Sequence, residues 1–188
     1  MRAFLALELD QTIRDAYAQL YAAGRAALPR LSWVSPENLH LTLRFLGEVD
    51  AGLEPRLFDA LEREAKGLEP FLAVVGEPGA FGSRQHPRAL WFGFAGGERL
   101  SRLAHAVESA VRAIGLPKET RPFRSHLTVA RNRRGERVDD WLEIARGCKL
   151  SGLSQNVERV TLLSSLLQRG RSPQYSPLWR LSLIHDES

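Results

Sequence analysis

The sequence predicts an α+β fold with two similar lobes related by a pseudo-twofold axis. Each lobe is expected to carry a mostly antiparallel sheet with helices on its outer face, and a cleft is expected between the lobes. Two observations predict this: both halves of the chain read strand, helix, strand, helix, strand, and the tripeptide His-Leu-Thr recurs at matching places in the two halves.

The first half begins with an apolar strand at residues 1–9. Asp10 then suits a helix N-cap, and the helix after it carries apolar residues at helical spacing: Ile13, Ala16, Tyr17 and Leu20. The stretch LHLTLRFLG predicts a strand, and Asp50 is expected to open a second helix with Leu53, Leu57 and Leu61 on one side. A further strand at residues 71–75 completes the half.

The second half repeats this order after a connector at residues 76–88, which contains Gly and Pro. A strand at 89–94 precedes a helix that starts at Gly97 and ends near Gly115. The stretch RPFRSHLTVAR predicts the next strand, and apolar spacing predicts a helix through the following residues: Val138, Trp141, Leu142 and Ala145. Strands at 157–167 and in LWRLSLI are expected to close the chain, with QRGRSP as the turn between them.

The spacing within the two halves also agrees. Phe4 precedes His40 by 36 positions, and Trp91 precedes His126 by 35. We therefore expect residues 1–188 to form a single two-lobed domain, with pseudo-repeats at about 1–76 and 88–185.

The composition limits the classes of function. The chain has a formal net charge of +4 and a pI near 9.7, which permits a polyanionic partner such as a nucleic acid. No run of apolar residues in the sequence is long enough for a membrane span, and the N-terminal residues lack the pattern of a signal peptide. Cys148 is the single cysteine, so an intrachain disulfide is excluded. A cytoplasmic monomer is the expectation.

The recurring tripeptide carries the functional signal. On a strand, His40 and Thr42 share one face, as do His126 and Thr128. Two lobes related by a twofold axis would present both imidazoles and both hydroxyls to one cleft. Imidazoles exchange protons near neutral pH, and hydroxyls can donate to phosphate oxygens. The pattern favours in-line displacement at phosphorus, with no metal and no cofactor, because carboxylates do not flank the histidines.

The segments PENLHLTLRFLGEV and RPFRSHLTVAR resemble the bacterial and archaeal RNA 2′,3′-cyclic phosphodiesterases, also called 2′-5′ RNA ligase-like proteins, in the two-histidine phosphoesterase superfamily. The resemblance spans nearly the whole chain. It implies hydrolysis of an RNA-terminal 2′,3′-cyclic phosphate, or of cyclic nucleotides, to a 2′-phosphomonoester. Two alternatives stay open: joining of 2′-5′ RNA ends by the reverse chemistry, and RNA binding without catalysis.

The resemblance also implies roles for single residues. His40 would donate a proton and His126 would accept one. The other implied residues would contact substrate, namely Thr42 and Thr128 on phosphate oxygens, Arg131 on phosphate, and Phe45 and Tyr175 beside the nucleotide.

Two features depart from a simple match. Ser125 stands where this branch of the family usually has Pro. Strict alternation puts Arg131 on the face opposite His126, so Arg131 reaches the cleft only if its strand bulges or ends before it. Arg44 and Arg124 are the alternatives that are in phase with the histidines. Trp33 is expected either to stack on a base or to pack in the core or at its rim. His105 is expected to be a surface residue, and neither His86 in the connector nor His185 near the end is expected to be catalytic.

Overall fold

The computed structural model describes residues 1–50, 52–167 and 172–183. The longer strands and helices follow one another in the order that the sequence predicts, and the two-residue strand β2 is an addition. Their bounds are β1 Arg2–Glu8, α1 Gln11–Ala27, β2 Ser32–Trp33, a 3₁₀ turn at Pro36–Asn38, β3 His40–Glu48, α2 Leu53–Glu64, β4 Phe71–Gly82, β5 Pro87–Ala95, α3 Gly97–Ala113, β6 His126–Arg131, α4 Trp141–Arg146, β7 Ser154–Val157, β8 Arg159–Leu166 and β9 Gln174–Ser182.

The described residues form one nine-stranded antiparallel sheet in the order β7-β4-β5-β6-β3-β1-β8-β9, with β2 pairing along β6. The strands β3 and β6, which carry the two tripeptides, lie at its centre, so the two lobes are the two halves of one sheet. The third strand of each sequence repeat lies in the other half: β4 pairs with β5, and β8 pairs with β1. This exchange ties the two halves together. The antiparallel sheet with its separate helices confirms the α+β class.

The main core lies between the helices and one face of the sheet. Alternate residues of β1, including Leu5 and Leu7, pack there with the apolar stripe of α1, of which Ile13, Tyr17 and Leu20 are fully buried. The Asp10 carboxylate caps α1 by accepting a hydrogen bond from the Ile13 amide at 3.0 Å, as predicted. Since α1 and α3 bury their stripes against this face, the opposite face of the sheet is left for other contacts.

A second, smaller apolar cluster belongs to that opposite face. Phe4, Ala6 and Leu163 form it, with Tyr175 packed against them. Phe4 and Ala6 alternate with the core residues of β1, so this cluster marks the face that carries His40.

Two predicted boundaries before the second HLT strand are wrong. The helix α2 begins at Leu53 with Gly52 as its N-cap, and the Asp50 carboxylate instead accepts from the Gly52 amide at 2.7 Å. The predicted connector at 76–88 is largely strand, because β4 continues to Gly82 and pairs with β5 as a hairpin. The pairing is possible despite the glycines because the ring of Trp91 lies directly against Gly79, where a Cβ would come within 2.3 Å of it.

The C-terminal elements also differ from the prediction. The helix α4 begins only at Trp141, so Val138 precedes it, and Leu142 is exposed. The predicted strand at 157–167 is divided at Glu158, because β7 pairs with β4 in one half of the sheet and β8 pairs with β1 in the other. The predicted turn at QRGRSP lies mostly outside the described residues, as do His185 and the end of the second pseudo-repeat.

Within the described residues, each helix is too short or too polar to cross a membrane.

Candidate active site

The two tripeptides meet where β3 and β6 pair. Among the described residues, the register between these strands holds at one pair, Leu41 with Leu127, and both leucines are fully buried. In an antiparallel pair this register brings His40 across from Thr128, and Thr42 across from His126, on the opposite face. The histidines are then diagonal neighbours, whose Cα atoms lie about 7–8 Å apart in a regular pair.

Both imidazoles are held in the same way. Nδ1 of His40 lies 2.7 Å from the carbonyl oxygen of Asn38, and Nδ1 of His126 lies 2.6 Å from that of Arg124. A carbonyl only accepts hydrogen bonds, so Nδ1 must carry the proton in each ring. The neutral form of each histidine therefore has its lone pair on Nε2, the atom that faces away from the backbone.

The two Nε2 atoms differ in their surroundings. Nε2 of His40 lies 3.0 Å from the hydroxyl oxygen of Thr42. When His40 is neutral, Thr42 donates this hydrogen bond; when His40 is protonated, His40 donates it. The Thr42 hydroxyl can thus change direction with the charge on the ring.

Both histidines have lowered pKa values. The pKa of His40 is lowered from 6.5 to about 4. Burial is the main cause and the positive charge of Arg131 contributes, while the hydrogen bond to the Asn38 carbonyl acts in the opposite direction. The pKa of His126 is also lowered, mainly by burial and again with a contribution from Arg131. Both rings are therefore neutral at pH 7 in the free protein, and both lie within reach of the Arg131 charge.

Aromatic rings hold each imidazole from the side. The ring of His40 lies 4.8 Å from Phe4 and 5.3 Å from Tyr175, with the Tyr175 contact edge-to-face. The ring of His126 lies 4.9 Å from Phe81, also edge-to-face, and 6.3 Å from Trp91. Such packing fixes the ring planes and excludes water from one side of each imidazole.

Phe4, Phe81 and Trp91 were missed as site residues by sequence reasoning. Phe4 and Trp91 were visible as equivalent positions of the two repeats, 36 and 35 residues before their histidines. That equivalence was the available signal, because residues at matching places in two symmetric halves contact matching partners. Phe81 gave no such signal, since it falls in the stretch that the sequence presented as a connector.

A register shift in each central strand decides which later residues share the histidine face. In β6, Trp91 is opposite Thr128 but Leu90 is opposite Ala130, so Val129 is an extra residue. Val129 and Ala130 are consecutively buried, which breaks the alternation. Such a bulge turns the next side chain, Arg131, to the face of His126 and Thr128.

The same shift occurs in β3. Ala6 is opposite Thr42 but Leu5 is opposite Arg44, so Leu43 is the extra residue. Strict alternation would put Phe45 on the core face with Leu43, but the bulge turns it away: Phe45 is 45% exposed and its ring lies 5.5 Å from Phe4. Tyr175 joins the same group, with its ring 4.9 Å from Phe4.

Arg44 is not on the histidine face. Its guanidinium donates to the Glu108 carboxylate of α3 at 2.8 Å and to the Pro117 carbonyl at 2.5 Å. The alternation that put Arg44 in phase with His40 fails at the bulge of Leu43. Arg124 contributes its carbonyl to His126, and its side chain is exposed.

The other residues named from the sequence are a buried tryptophan, two exposed histidines and Ser125. Trp33 is buried against Gly24, and its indole N–H donates to the Leu28 carbonyl at 3.1 Å, so it is a core residue. His86 and His105 are exposed. The Ser125 hydroxyl donates to the Phe94 carbonyl, which fixes the chain just before His126 by a hydrogen bond.

A cavity of about 440 Å³ lies at the C-terminal end of β1, beside the start of α1. Its lining includes Glu8, Arg14 and Arg180 but neither histidine. The Glu8 carboxylate accepts from Arg180 at 2.8 Å and from Thr161 at 2.8 Å, and the Arg180 hydrogen bond lowers the pKa of Glu8. The charges of Glu8 and Arg180 thus neutralise one another.

The described residues contain no group of three or more His, Cys, Asp or Glu side chains that could hold a metal ion. Donors to an anion on the histidine face include the Thr128 hydroxyl and the Arg131 guanidinium.

Comparison with known proteins gives a consistent result. A family model described as LigT-like phosphoesterase matches residues 7–91 and 95–173. A Methanothermobacter thermautotrophicus protein named RNA 2′,3′-cyclic phosphodiesterase is 34% identical over 92% of this chain and 90% of its own length. A Thermus thermophilus protein of the same name is 33% identical over 97% of this chain and 90% of its own length.

Solved structures agree with the sequence relatives. TT0787 of Thermus thermophilus superposes with a TM-score of 0.78 at 30% identity, covering 97% of this chain and 98% of that one. The apo form of Escherichia coli LigT superposes with a TM-score of 0.72 at 28% identity, covering 98% of both chains.

Proposed function

The chain belongs to the LigT-like phosphoesterase family of enzymes, and from this we propose that it hydrolyses an RNA-terminal 2′,3′-cyclic phosphate to a 2′-phosphomonoester by metal-independent acid–base catalysis. The observation that carries the proposal is the pairing of Leu41 with Leu127, which supports a common face for both His-Leu-Thr tripeptides. Curated relatives named RNA 2′,3′-cyclic phosphodiesterase support the choice of substrate.

The reaction needs one proton removed and one supplied. In the proposed mechanism, Nε2 of His126 takes a proton from water as the water oxygen bonds to phosphorus. The bond from phosphorus to the 3′-oxygen breaks on the opposite side, and His40 gives that oxygen its proton. The two histidines supply both transfers, so a metal-bound hydroxide is not required.

His40 must gain its proton before it can act as the acid. In the free protein its pKa is about 4, mainly because it is buried. An anionic cyclic phosphate between the histidines would raise that pKa, because a nearby negative charge stabilises the imidazolium. The acid is thus prepared by substrate binding, and protonated His40 would release the Thr42 hydroxyl to donate to a phosphate oxygen.

The other residues of the histidine face supply charge and shape. Arg131 would neutralise a phosphate oxygen, and the Thr128 hydroxyl would donate to another as charge builds. Phe45 and Tyr175 are aromatic, partly exposed and next to His40 through Phe4, which suits contact with a base or ribose. Escherichia coli LigT has been crystallised with 3′-AMP and with phosphate.

The decisive test is turnover of an oligonucleotide that ends in a 2′,3′-cyclic phosphate. His40→Asn and His126→Asn should each lower turnover by about 10² to 10⁴, the size of one acid–base role. His105→Asn, which removes an exposed histidine of α3, is the matched control and should keep wild-type turnover. Wild-type rates in either active-site variant would reject the assignment.

The product distinguishes the orientation of acid and base. Phosphorus NMR should show a 2′-phosphate alone, since a fixed acid protonates only the 3′-oxygen. A 3′-phosphate would mean that His40 and His126 have exchanged roles. A parallel reaction with a 5′-hydroxyl oligonucleotide would reveal joining of ends, and binding without turnover would indicate the non-catalytic alternative.

A further inference from the structure

The bulge at Val129 determines where Arg131 points. Without the extra residue, Arg131 would alternate onto the core face with Leu127 and Val129. With it, Arg131 lies close enough to lower the pKa of both histidines. A bulge disrupts strand pairing, so its shape depends on the groups that satisfy its backbone.

A buried tyrosine of α1 meets this bulge. The Tyr17 hydroxyl lies 2.6 Å from the Val34 carbonyl and 3.1 Å from the Val129 carbonyl, and its side chain is fully buried. The Val34 amide also donates to the Val129 carbonyl, at 2.9 Å. The hydroxyl has one proton, which the two carbonyls share, and it thereby links helix α1, the segment after β2 and the extra residue of β6.

The other central strand has a comparable support. Its extra residue, Leu43, is followed by Arg44, which is tied to Glu108 of α3 by a 2.8 Å ion pair. In each half, a helix on the core side therefore holds the strand at the bulge three residues after the histidine. The residues five positions after the histidines, Phe45 and Arg131, follow these supports.

We propose that Tyr17 is a positioning residue, whose hydroxyl holds the Val129 bulge in the shape that directs Arg131 to the phosphate. The proposal rests on the function proposed above. It assigns to a core residue, which touches no substrate, a contribution to phosphate binding that passes through the backbone of β6. The hydroxyl is separated from Arg131 by two residues of strand, so small changes in the bulge move the guanidinium.

The kinetic test is a double-mutant cycle on a 2′,3′-cyclic mononucleotide. Tyr17→Phe keeps the ring in the core and should lower kcat/KM on the order of 10-fold, since modest misplacement of a charged group is costly. Adding Tyr17→Phe to Arg131→Gln should cause no further loss, because the displaced group is already absent. Tyr21→Phe, which removes a hydroxyl one turn later on α1, should keep wild-type kinetics.

A second readout needs no turnover and separates this inference from the proposed function. The pKa values of His40 and His126, followed by NMR in the free protein, should rise in Arg131→Gln, and should rise by a smaller amount in Tyr17→Phe. Tyr21→Phe should leave them where they are. These shifts are expected even if the substrate proves to be different.

Two further variants separate positioning from stability. Val129→Ala changes the bulge itself and leaves Tyr17 intact. It should raise the histidine pKa values as Tyr17→Phe does, and it takes the place of Tyr17→Phe if that variant does not fold. Ile13→Val trims the same helix stripe and should lower the melting temperature without moving those pKa values. Additive losses in the double-mutant cycle, or histidine pKa values unmoved by both Tyr17→Phe and Val129→Ala, would overturn the proposal.

Discussion

The burial of His40 predicts a specific loss of stability in acid. The folded protein holds the pKa of this imidazole at about 4, against 6.5 for an ordinary histidine. Above pH 6.5 the ring is neutral in both the folded and the unfolded chain, so it does not change stability. Below pH 6.5 the unfolded chain takes up a proton that the folded chain refuses, and folding becomes less favourable until the pH falls through the folded pKa.

The magnitude follows from the two pKa values. Proton linkage gives a loss of about 2 kcal/mol in the free energy of unfolding at pH 5 and about 3 kcal/mol at pH 4. These losses are large beside the 5–15 kcal/mol that is typical of small domains. Carboxylates with lowered pKa values, such as Glu8 and Glu119, add to the loss in the same direction.

The assay isolates His40 by comparison. The free energy of unfolding is measured by urea denaturation at pH 7, 5 and 4 for the wild type and for His40→Gln, which cannot titrate. The wild type should lose about 2 kcal/mol more than His40→Gln between pH 7 and pH 5. His105→Gln, at an exposed position, should lose as much as the wild type. An equal loss in the wild type and His40→Gln would refute the idea that the folded protein keeps His40 neutral.

Four other outcomes are expected. Thr42→Ala and Thr128→Ala should each lower turnover roughly 10- to 1,000-fold, because each removes a donor to the charged transition state; a rate equal to wild type would make that threonine structural. Turnover should persist in excess EDTA, and loss restored by a divalent metal would contradict the mechanism. Binding of longer RNA should weaken with salt as arginines meet further phosphates, whereas a flat response would limit recognition to the terminal nucleotide. Gly79→Ala should lower both the melting temperature and turnover, because the new Cβ would come within 2.3 Å of the Trp91 ring. Gly147→Ala, whose new Cβ would have its nearest neighbour at 3.4 Å, should change neither.

Local patterns were sufficient for most of the elements. The helices α1 and α3 were predictable because their apolar stripes are long and their ends carry recognisable residues, such as the Asp10 cap. The glycine-rich residues 76–82 were not, because a strand with few side chains is stabilised by its neighbour rather than by its own sequence. The break at Glu158 was equally hidden, since it reflects two strands joining different halves of the sheet.

The sequence by itself determined the symmetric pair of His-Leu-Thr tripeptides and the family to which the chain belongs. Both are written in the identity and spacing of residues, and alternation on a strand is enough to place each histidine with its threonine. Strict alternation is also a local rule, and it fails wherever one strand gains a residue over its partner. Only the tertiary structure could decide that Arg131 and Phe45 turn to the histidine face while Arg44 turns to Glu108, because a bulge is a property of two paired strands and of the helix that supports them.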